Sequence, residues 1–269
     1  MTAAGNEHLL CAERLAAGLA TRRVGRRIVL LAEVDSTNRY AMEMLAPGDG
    51  QAADGTVVLA EHQTAGRGRL GRRWIAPRGA AIQLTVVLTY PQSGFSHGRL
   101  MMSSALAGVE GISEATDVEP TIRWPNDLYV GNRKLAGILI ETKQLRAGTV
   151  AVALGMGINC LQQRGHFSPE LAERATSLEI ESRQAIDRHA VVCSVLRALD
   201  RYIMANVSDE TLATRWREHS TDIEALVDLS DASGAYRGRI LDVHPMNGLL
   251  LQLEHGGRRH FDAASTSRL

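Results

Sequence analysis

The chain reads as an α+β fold, with helices and strands interleaved through its first 222 residues and a small β-rich unit after them. Three observations predict this. Between Arg27 and His219, apolar runs of strand length alternate with segments of helical spacing. From Ile223 onward the texture changes to short strands separated by Gly-, Asp- and Pro-bearing turns, which suits a small β-barrel. A length of 269 residues with 45% apolar content accommodates one large domain and one small one. We therefore expect domains at 1–222 and 223–269.

In order, Arg27–Glu33 is strand-like. Asp35-Ser36-Thr37-Asn38 opens a helix with capping side chains, and Pro47-Gly48 follows its end. Thr56–Glu61 is a short buried strand that leads into a run of glycines and arginines. Ala81–Tyr90 alternates as a strand does, and Pro91 stops it. His97 to about Glu114 carries small and apolar residues at helical spacing. Thr121–Trp124 forms a strand before Pro125-Asn126-Asp127. Leu128–Val130 and Leu135–Glu141 make a hairpin about the turn Gly131-Asn132. Val150–Ile158 is an apolar, glycine-bearing strand. Asp187–Ala205 and Ser208–His219 are well-capped helices. Ala225–Leu229, Gly238–Val243 and Gly248–Leu253 are the strands of the terminal unit.

Composition excludes several classes. Thirty basic residues balance 30 acidic ones, so no global field draws the chain to DNA or to a membrane surface. Cys11, Cys160 and Cys193 are widely spaced and form no Cys-x-x-Cys pair, as expected of reduced thiols. The first twenty residues lack an apolar core flanked by a signal-peptide pattern, and no apolar run reaches the ~20 residues of a membrane span. A cytoplasmic protein is expected. Only two of the 30 basic residues are lysines, Lys134 and Lys143, which points to a need for an ammonium at 134.

Four clusters carry the chemistry. Ser36-Thr37-Asn38 stands at a helix start, where a structural cap is its plain reading. Gln63 precedes the loop Gly66-Arg67-Gly68-Arg69-Leu70-Gly71-Arg72-Arg73-Trp74. Its glycines admit positive φ, so backbone N–H groups can turn toward an anion, and its arginines add forked donors. Such a loop is expected to stay mobile until an anion arrives. Arg123-Trp124-Pro125-Asn126-Asp127 is followed by Lys134-Leu135-Ala136-Gly137-Ile138-Leu139. Gly155-Met156-Gly157-Ile158-Asn159 pairs two glycines, which lets a ligand approach a strand end.

Taken together these motifs resemble the biotin–protein ligases, and the resemblance runs from about Arg27 to the C-terminus. It implies a mixed, largely antiparallel sheet flanked by helices, of the class II aminoacyl-tRNA synthetase and biotin ligase type, ending in an SH3-like barrel. It implies that ATP and Mg2+ activate biotin to biotinyl-5′-adenylate, and that biotin passes to a lysine of a biotin carboxyl carrier protein. It assigns biotin and its adenylate to Ser36, Thr37, Asn38, Gln63, Gly66, Arg67, Gly68, Arg69, Trp74, Lys134, Gly137, Gly155 and Gly157. Nucleotide contacts fall to Arg69, Arg72, Asn126 and Asn159, and the magnesium to Asp127. Lys134, Arg67 and Arg123 are the expected catalytic cations, neutralising a carboxylate and phosphates that must meet in a dry site.

Trp74 is expected either to plug the folded loop over the adenylate or to serve as an ordinary core aromatic; Trp124, preceded by a strand, reads as core. Members of the family usually carry lysine where this chain has Arg123, and a guanidinium keeps that charge but not its shape. Some relatives place a helix-turn-helix domain before the Ser-Thr-Asn motif. The 35 residues preceding it here are too few for one, so no DNA-binding repressor is expected. A monomer or weak homodimer is expected. The rival readings are a lipoate ligase, which would lack the arginine loop, and a nucleic-acid module using that loop against phosphates.

Overall fold

A computed structural model describes residues 9–45, 53–145, 148–205 and 207–269; the expected Pro47-Gly48 stop lies outside them. The strands are β1 (Arg27–Leu31), β2 (Thr56–Ala60), β3 (Ala81–Pro91), β4 (Thr121–Arg123), β5 (Asp127–Val130), β6 (Arg133–Gln144) and β7 (Thr149–Asn159), then β8 (Leu226–Asp231), β9 (Gly234–His244), β10 (Gly248–Leu253), β11 (Arg258–Phe261) and β12 (Ser267–Arg268). The helices are α1 (Ala12–Leu19), α2 (Thr37–Met44), α3 (His97–Ala115), α4 (Pro169–Ala172), α5 (Leu178–Glu181), α6 (Arg188–Met204) and α7 (Asp209–His219).

β1 to β7 form one sheet in the order β1-β2-β3-β7-β6-β5-β4. Only β1 and β2 pair in parallel; every other ladder of this sheet is antiparallel. β2 is buried along its whole length because both faces of the sheet are covered. On one face Val57, Leu59, Ile82, Leu84, Val86, Val152, Leu154 and Met156 join α3 and α6 in the main core. On the other, Val58, Val87, Ala151 and Ala153 meet Ala41 and Leu45 of the α2 segment.

Side chains cap α6 and α7 as expected, Asp187 accepting from the His189 N–H and Ser208 from Thr211; Ser96 and Ser177 likewise cap α3 and α5, accepting from Arg99 and Ile180. Ser36 departs from its expected role, since no side-chain capping bond forms at the start of α2. The Gly131-Asn132 turn does form, with Val130 opposite Arg133 and Gly131 at φ 57°. β8 to β12 make a separate antiparallel sheet in the order β11-β10-β9-β8-β12. Asp222 ties it to the large sheet by accepting the Trp124 N–H at 2.6 Å and pairing with Arg268 at 2.6 Å.

Candidate functional site

Side-chain volume falls away along one face of β7. Its core-facing residues are Val152, Leu154, Met156 and Ile158, while the alternate positions read Ala151, Ala153, Gly155, Gly157 and Asn159. The result is a trough on the face covered by α2. Ladder register aligns Gln83, Gly157, Gly137, Asp127 and Arg123 across β3, β7, β6, β5 and β4. Thr85, Gly155 and Leu139 form the next row. Residues directly opposite one another on paired strands share a face, so these two rows are the floor of the site.

At one end of the floor stands Lys134. Its backbone is held from both sides, donating to the Arg174 carbonyl at 2.8 Å and accepting from the Thr176 N–H at 2.9 Å. Its Nζ reaches Asp127 Oδ1 at 2.7 Å. A Cβ added at Gly137 would lie 3.4 Å from both Asp127 Oδ1 and Lys134 Nζ, in ordinary contact with the ion pair. Asn159, expected at the nucleotide, is hydrogen-bonded within the protein at this end of the floor. Its amide donates to the Thr176 carbonyl at 2.8 Å and accepts from Gln162 Nε2 at 2.8 Å, and the residue is 5% exposed. Through these bonds Asn159 braces the segment that positions Lys134, with one N–H and one lone pair of its amide still to give.

The other end is a chain of amides and hydroxyls. Gln63 Oε1 accepts from the Thr37 N–H at 2.7 Å and from Thr37 Oγ1 at 3.0 Å, while Gln63 Nε2 donates to Gln83 Oε1 at 2.9 Å. Thr85 Oγ1 lies 2.8 Å from Thr37 Oγ1 and 2.7 Å from Asn38 Oδ1. Asn38 Nδ2 donates to Glu141 Oε2 at 2.9 Å, and Arg67 pairs with Glu141 Oε1 at 3.0 Å. The glycine pair of β7 is occupied by protein. A Cβ on Gly155 would fall 2.3 Å from Asn38 Oδ1, and one on Gly157 would fall 2.6 Å from Trp74 Cε2. The trough therefore seats Asn38 and Trp74. The indole is half-buried, with its Nε1 buried and unpartnered.

The arginine loop closes on itself. Gly68 N–H donates to the Arg72 carbonyl at 2.8 Å, Trp74 N–H to the Gly66 carbonyl at 3.0 Å, and Arg67 bridges Arg73. Gly66 and Gly68 were expected to turn their N–H groups by positive φ; instead they let the two legs approach, and the positive φ values fall on Leu70 and Gly71. A Cβ on Gly66 would come within 2.4 Å of the Trp74 carbonyl. Arg69 leaves the loop to join the small sheet, donating to the carbonyls of Ala263 and Thr266 and to Asn126 Oδ1 at 3.1 Å. Burial holds its pKa below the usual guanidinium value, against the pull of Asp127. Asn126 in turn donates to the Ile138 carbonyl at 2.7 Å. Arg72 reaches Ser267 at 3.3 Å.

Arg123 closes the floor at the edge strand. Its guanidinium stacks 4.2 Å from the Tyr129 ring centroid and donates to Asn132 Oδ1 at 2.7 Å. Burial, then Asp127, push the Tyr129 hydroxyl above its ordinary pKa, with Arg123 opposing. Trp124 is 4% exposed, in the core as its sequence context predicts. Among the described residues no group of three His, Cys, Asp or Glu side chains could hold a metal ion. Asp127 is a lone carboxylate already facing an ammonium. That donor set fits a magnesium carried in on phosphates with its own waters, not a resident ion.

Sequence reasoning missed Gln83, Thr85, Glu141 and Asp222. The first two carried a usable signal: they are polar residues at alternate positions in the otherwise apolar Ala81–Leu88 run, both on the face away from the main core. Glu141 and Asp222 carried none, because their partners lie far away in sequence.

Comparison with known proteins bears on this site. The model of the biotin/lipoate A/B protein ligase family matches residues 30–159. A biotin–[acetyl-CoA-carboxylase] ligase of Mycobacterium tuberculosis is 35% identical over 209 residues, covering 75% of this chain and 74% of that one. One of the same name from Paracoccus denitrificans is 33% identical over 220 residues, covering 78% of this chain and 89% of that one. Among solved structures, the Aquifex aeolicus biotin protein ligase in complex with biotin and ATP superposes with a TM-score of 0.75. Its identity is 25%, covering 91% of this chain and 100% of that one.

Proposed function

Since this chain belongs to the biotin/lipoate A/B protein ligase family, we propose that it activates biotin with ATP to biotinyl-5′-adenylate and transfers the biotinyl group to a lysine of the biotin carboxyl carrier protein of acetyl-CoA carboxylase. The observation that carries this reading is the two-ended floor. The Lys134 ammonium stands at one end and the Thr37–Gln63–Gln83 chain at the other, with two glycines between. Three strand spacings separate Gln83 from Asp127, roughly 14 Å. Biotin extended from ureido oxygen to carboxylate spans on the order of 10 Å by ordinary bond lengths.

In the first step a carboxylate oxygen of biotin bonds to the α-phosphorus of ATP while the bond to the β-phosphate oxygen breaks, and pyrophosphate leaves. Two anions must approach each other for this. Lys134 offsets the charge at the reacting oxygens, and Arg67, held by Glu141, adds a second cation beside the amide chain. Magnesium entering on the phosphates would neutralise them further, with Asp127 as the carboxylate able to face it. In the second step the neutral amine of the acceptor lysine attacks the acyl carbon, AMP departs with the bonding pair, and the nitrogen gives up one proton to water as the amide forms. Trp74 and the arginine loop cover the floor and would keep water from the mixed anhydride between the steps.

The reading includes a catalytic domain at 1–222 and an SH3-like barrel at 223–269, action in the cytoplasm, and a monomer or weak homodimer. Among the described residues no helix is long and apolar enough to cross a membrane. Incubation with ATP, magnesium and either biotin or lipoate, followed by mass spectrometry, tests the reaction: the biotin adenylate should form and the lipoate adenylate should not. Formation of lipoyl adenylate alone would overturn the substrate assignment.

A further inference from the structure

The direction of the hydrogen-bond chain at the amide end is set by a single backbone group. The Thr37 N–H can only donate, so the Gln63 atom facing it at 2.7 Å must be the carbonyl oxygen. Gln63 then turns its NH2 toward Gln83, and the Gln83 atom receiving it at 2.9 Å must also be an oxygen. Flipping either amide would set donor against donor. Gln83 is consequently obliged to present its own NH2 away from Gln63.

That NH2 has no partner. Gln83 is 1% exposed, and its Nε2 is buried and makes no hydrogen bond. Its neighbour on β7 is Gly157, which contributes no side chain, and the Trp74 indole lies over that glycine. An unpaired buried donor is costly and uncommon in a folded protein. Gln83 stands in the same row of the floor as Gly157, Gly137 and Asp127, at the end far from the Lys134 ammonium.

We propose that Gln83 is a specificity residue for biotin, its NH2 donating to the ureido carbonyl oxygen and so demanding an acceptor atom at that position of the ligand. The inference rests on the biotin-ligase reading above and extends it. The amide relay makes the demand strict: Gln83 cannot rotate to offer its oxygen without breaking the Gln63 contact, and Gln63 cannot follow because Thr37 fixes it. A ligand with a donor at this position would face an N–H on both sides and leave both unpaired.

The probe is 2-iminobiotin, which at neutral pH replaces the ureido oxygen with an N–H of a guanidinium. Binding of biotin and of 2-iminobiotin is measured by calorimetry on the wild-type chain and on Gln83→Leu and Gln83→Glu, with the KM for ATP as a control. Wild type should favour biotin strongly. Gln83→Leu should weaken biotin by ~10–100-fold while leaving the KM for ATP unchanged. Gln83→Glu is isosteric and supplies an acceptor, so it should narrow the preference at least tenfold or invert it.

Retention of the wild-type preference by Gln83→Glu would overturn the proposal, as would biotin binding within about threefold of wild type by Gln83→Leu. If Gln83→Leu does not fold, the isosteric Gln83→Glu decides alone. The parent reading fails separately: it falls if the wild-type chain binds no biotin and forms no adenylate. A wild-type chain that forms the adenylate, with variants that keep its selectivity, would sink only the role of Gln83.

Discussion

Replacing Gly155 by alanine tests whether the trough in β7 exists to seat Asn38. Gly155 is not one of the glycines at positive φ, so alanine could adopt its backbone conformation and the cost is steric. The added methyl carbon would stand 2.3 Å from Asn38 Oδ1, 3.0 Å from its Cγ and 3.1 Å from its Nδ2, where ordinary contact begins at 3.4 Å. Asn38 would have to retreat by 3.4 − 2.3 = 1.1 Å. It cannot do so freely, because Thr85, Glu141 and the Leu139 carbonyl hold its amide and the residue is buried. Overpacking of this kind costs about 1–3 kcal/mol, and each kcal/mol lowers Tm by roughly 2–4 °C in a chain of this size. Urea unfolding and a thermal melt read the stability, and adenylate formation at varied biotin reads the site. We expect the KM for biotin to rise, because Ser36 and Thr37 begin the same helix turn as Asn38. The decisive comparison repeats Gly155→Ala in an Asn38→Ala background, where the obstructing amide is gone. There the methyl should cost little, so the double-mutant cycle returns a large coupling. An equal cost in both backgrounds would mean that Asn38 is not what the glycine accommodates.

Lys134→Ala should lower pyrophosphate exchange by ~10²–10³-fold, the loss typical of one transition-state charge contact, while Lys143→Ala, exposed on the far part of β6, should exchange at the normal rate; near-normal exchange by Lys134→Ala would remove it from the site. Limited trypsin digestion should cut after the arginines of 64–73 in the free protein and be suppressed once the adenylate forms. Equal rates in the two states would show that the loop does not close over the intermediate. Asp54 bears on stability rather than chemistry. Burial would raise its pKa, but Arg23, at 2.7 and 2.8 Å, and the Thr89 N–H outweigh it and hold the carboxyl below its usual 3.8. A depressed folded pKa contributes stability that is complete above the unfolded value and fades as pH falls through the folded one. Asp54→Ala should therefore cost about 2–4 kcal/mol at pH 7, with the gap from wild type narrowing only below pH 3.8. A gap independent of pH down to 2 would refute the assignment.

How much of this was legible follows from which interactions are local. Strand and helix positions from Arg27 to His219 came from hydrophobic period and caps, because each depends on residues within one turn or one alternation. The Ser36 side chain makes no cap; at this helix start Thr37 instead gives its N–H to Gln63, a residue 26 positions away that no local pattern points to. The amphipathic α1 went unread, although Leu15 and Leu19 bury one face of it. Arg123 was expected as a catalytic cation; that its guanidinium stacks on Tyr129, brought beside it by the β4–β5 ladder, was not legible.

The sequence by itself determined the chemistry available to this protein. It placed one ammonium at Lys134, a glycine–arginine loop before Trp74, and a motif set specific enough to identify the family. Those are properties of residue type and spacing, and folding does not alter them. Only the tertiary structure decided which of the residues face one another. Register across five strands brought Gln83, Gly157, Gly137, Asp127 and Arg123 into one row, although only the last three share a stretch of sequence and no short-range pattern links them to Gln83 or Gly157. It turned Asn159 into a brace, carried Arg69 to the carbonyls of Ala263 and Thr266, and left the Gln83 amide as a donor in need of an acceptor. The physical reason is that a hydrogen bond's direction and a side chain's burial belong to pairs of groups, and pairing across a sheet is set by the fold as a whole.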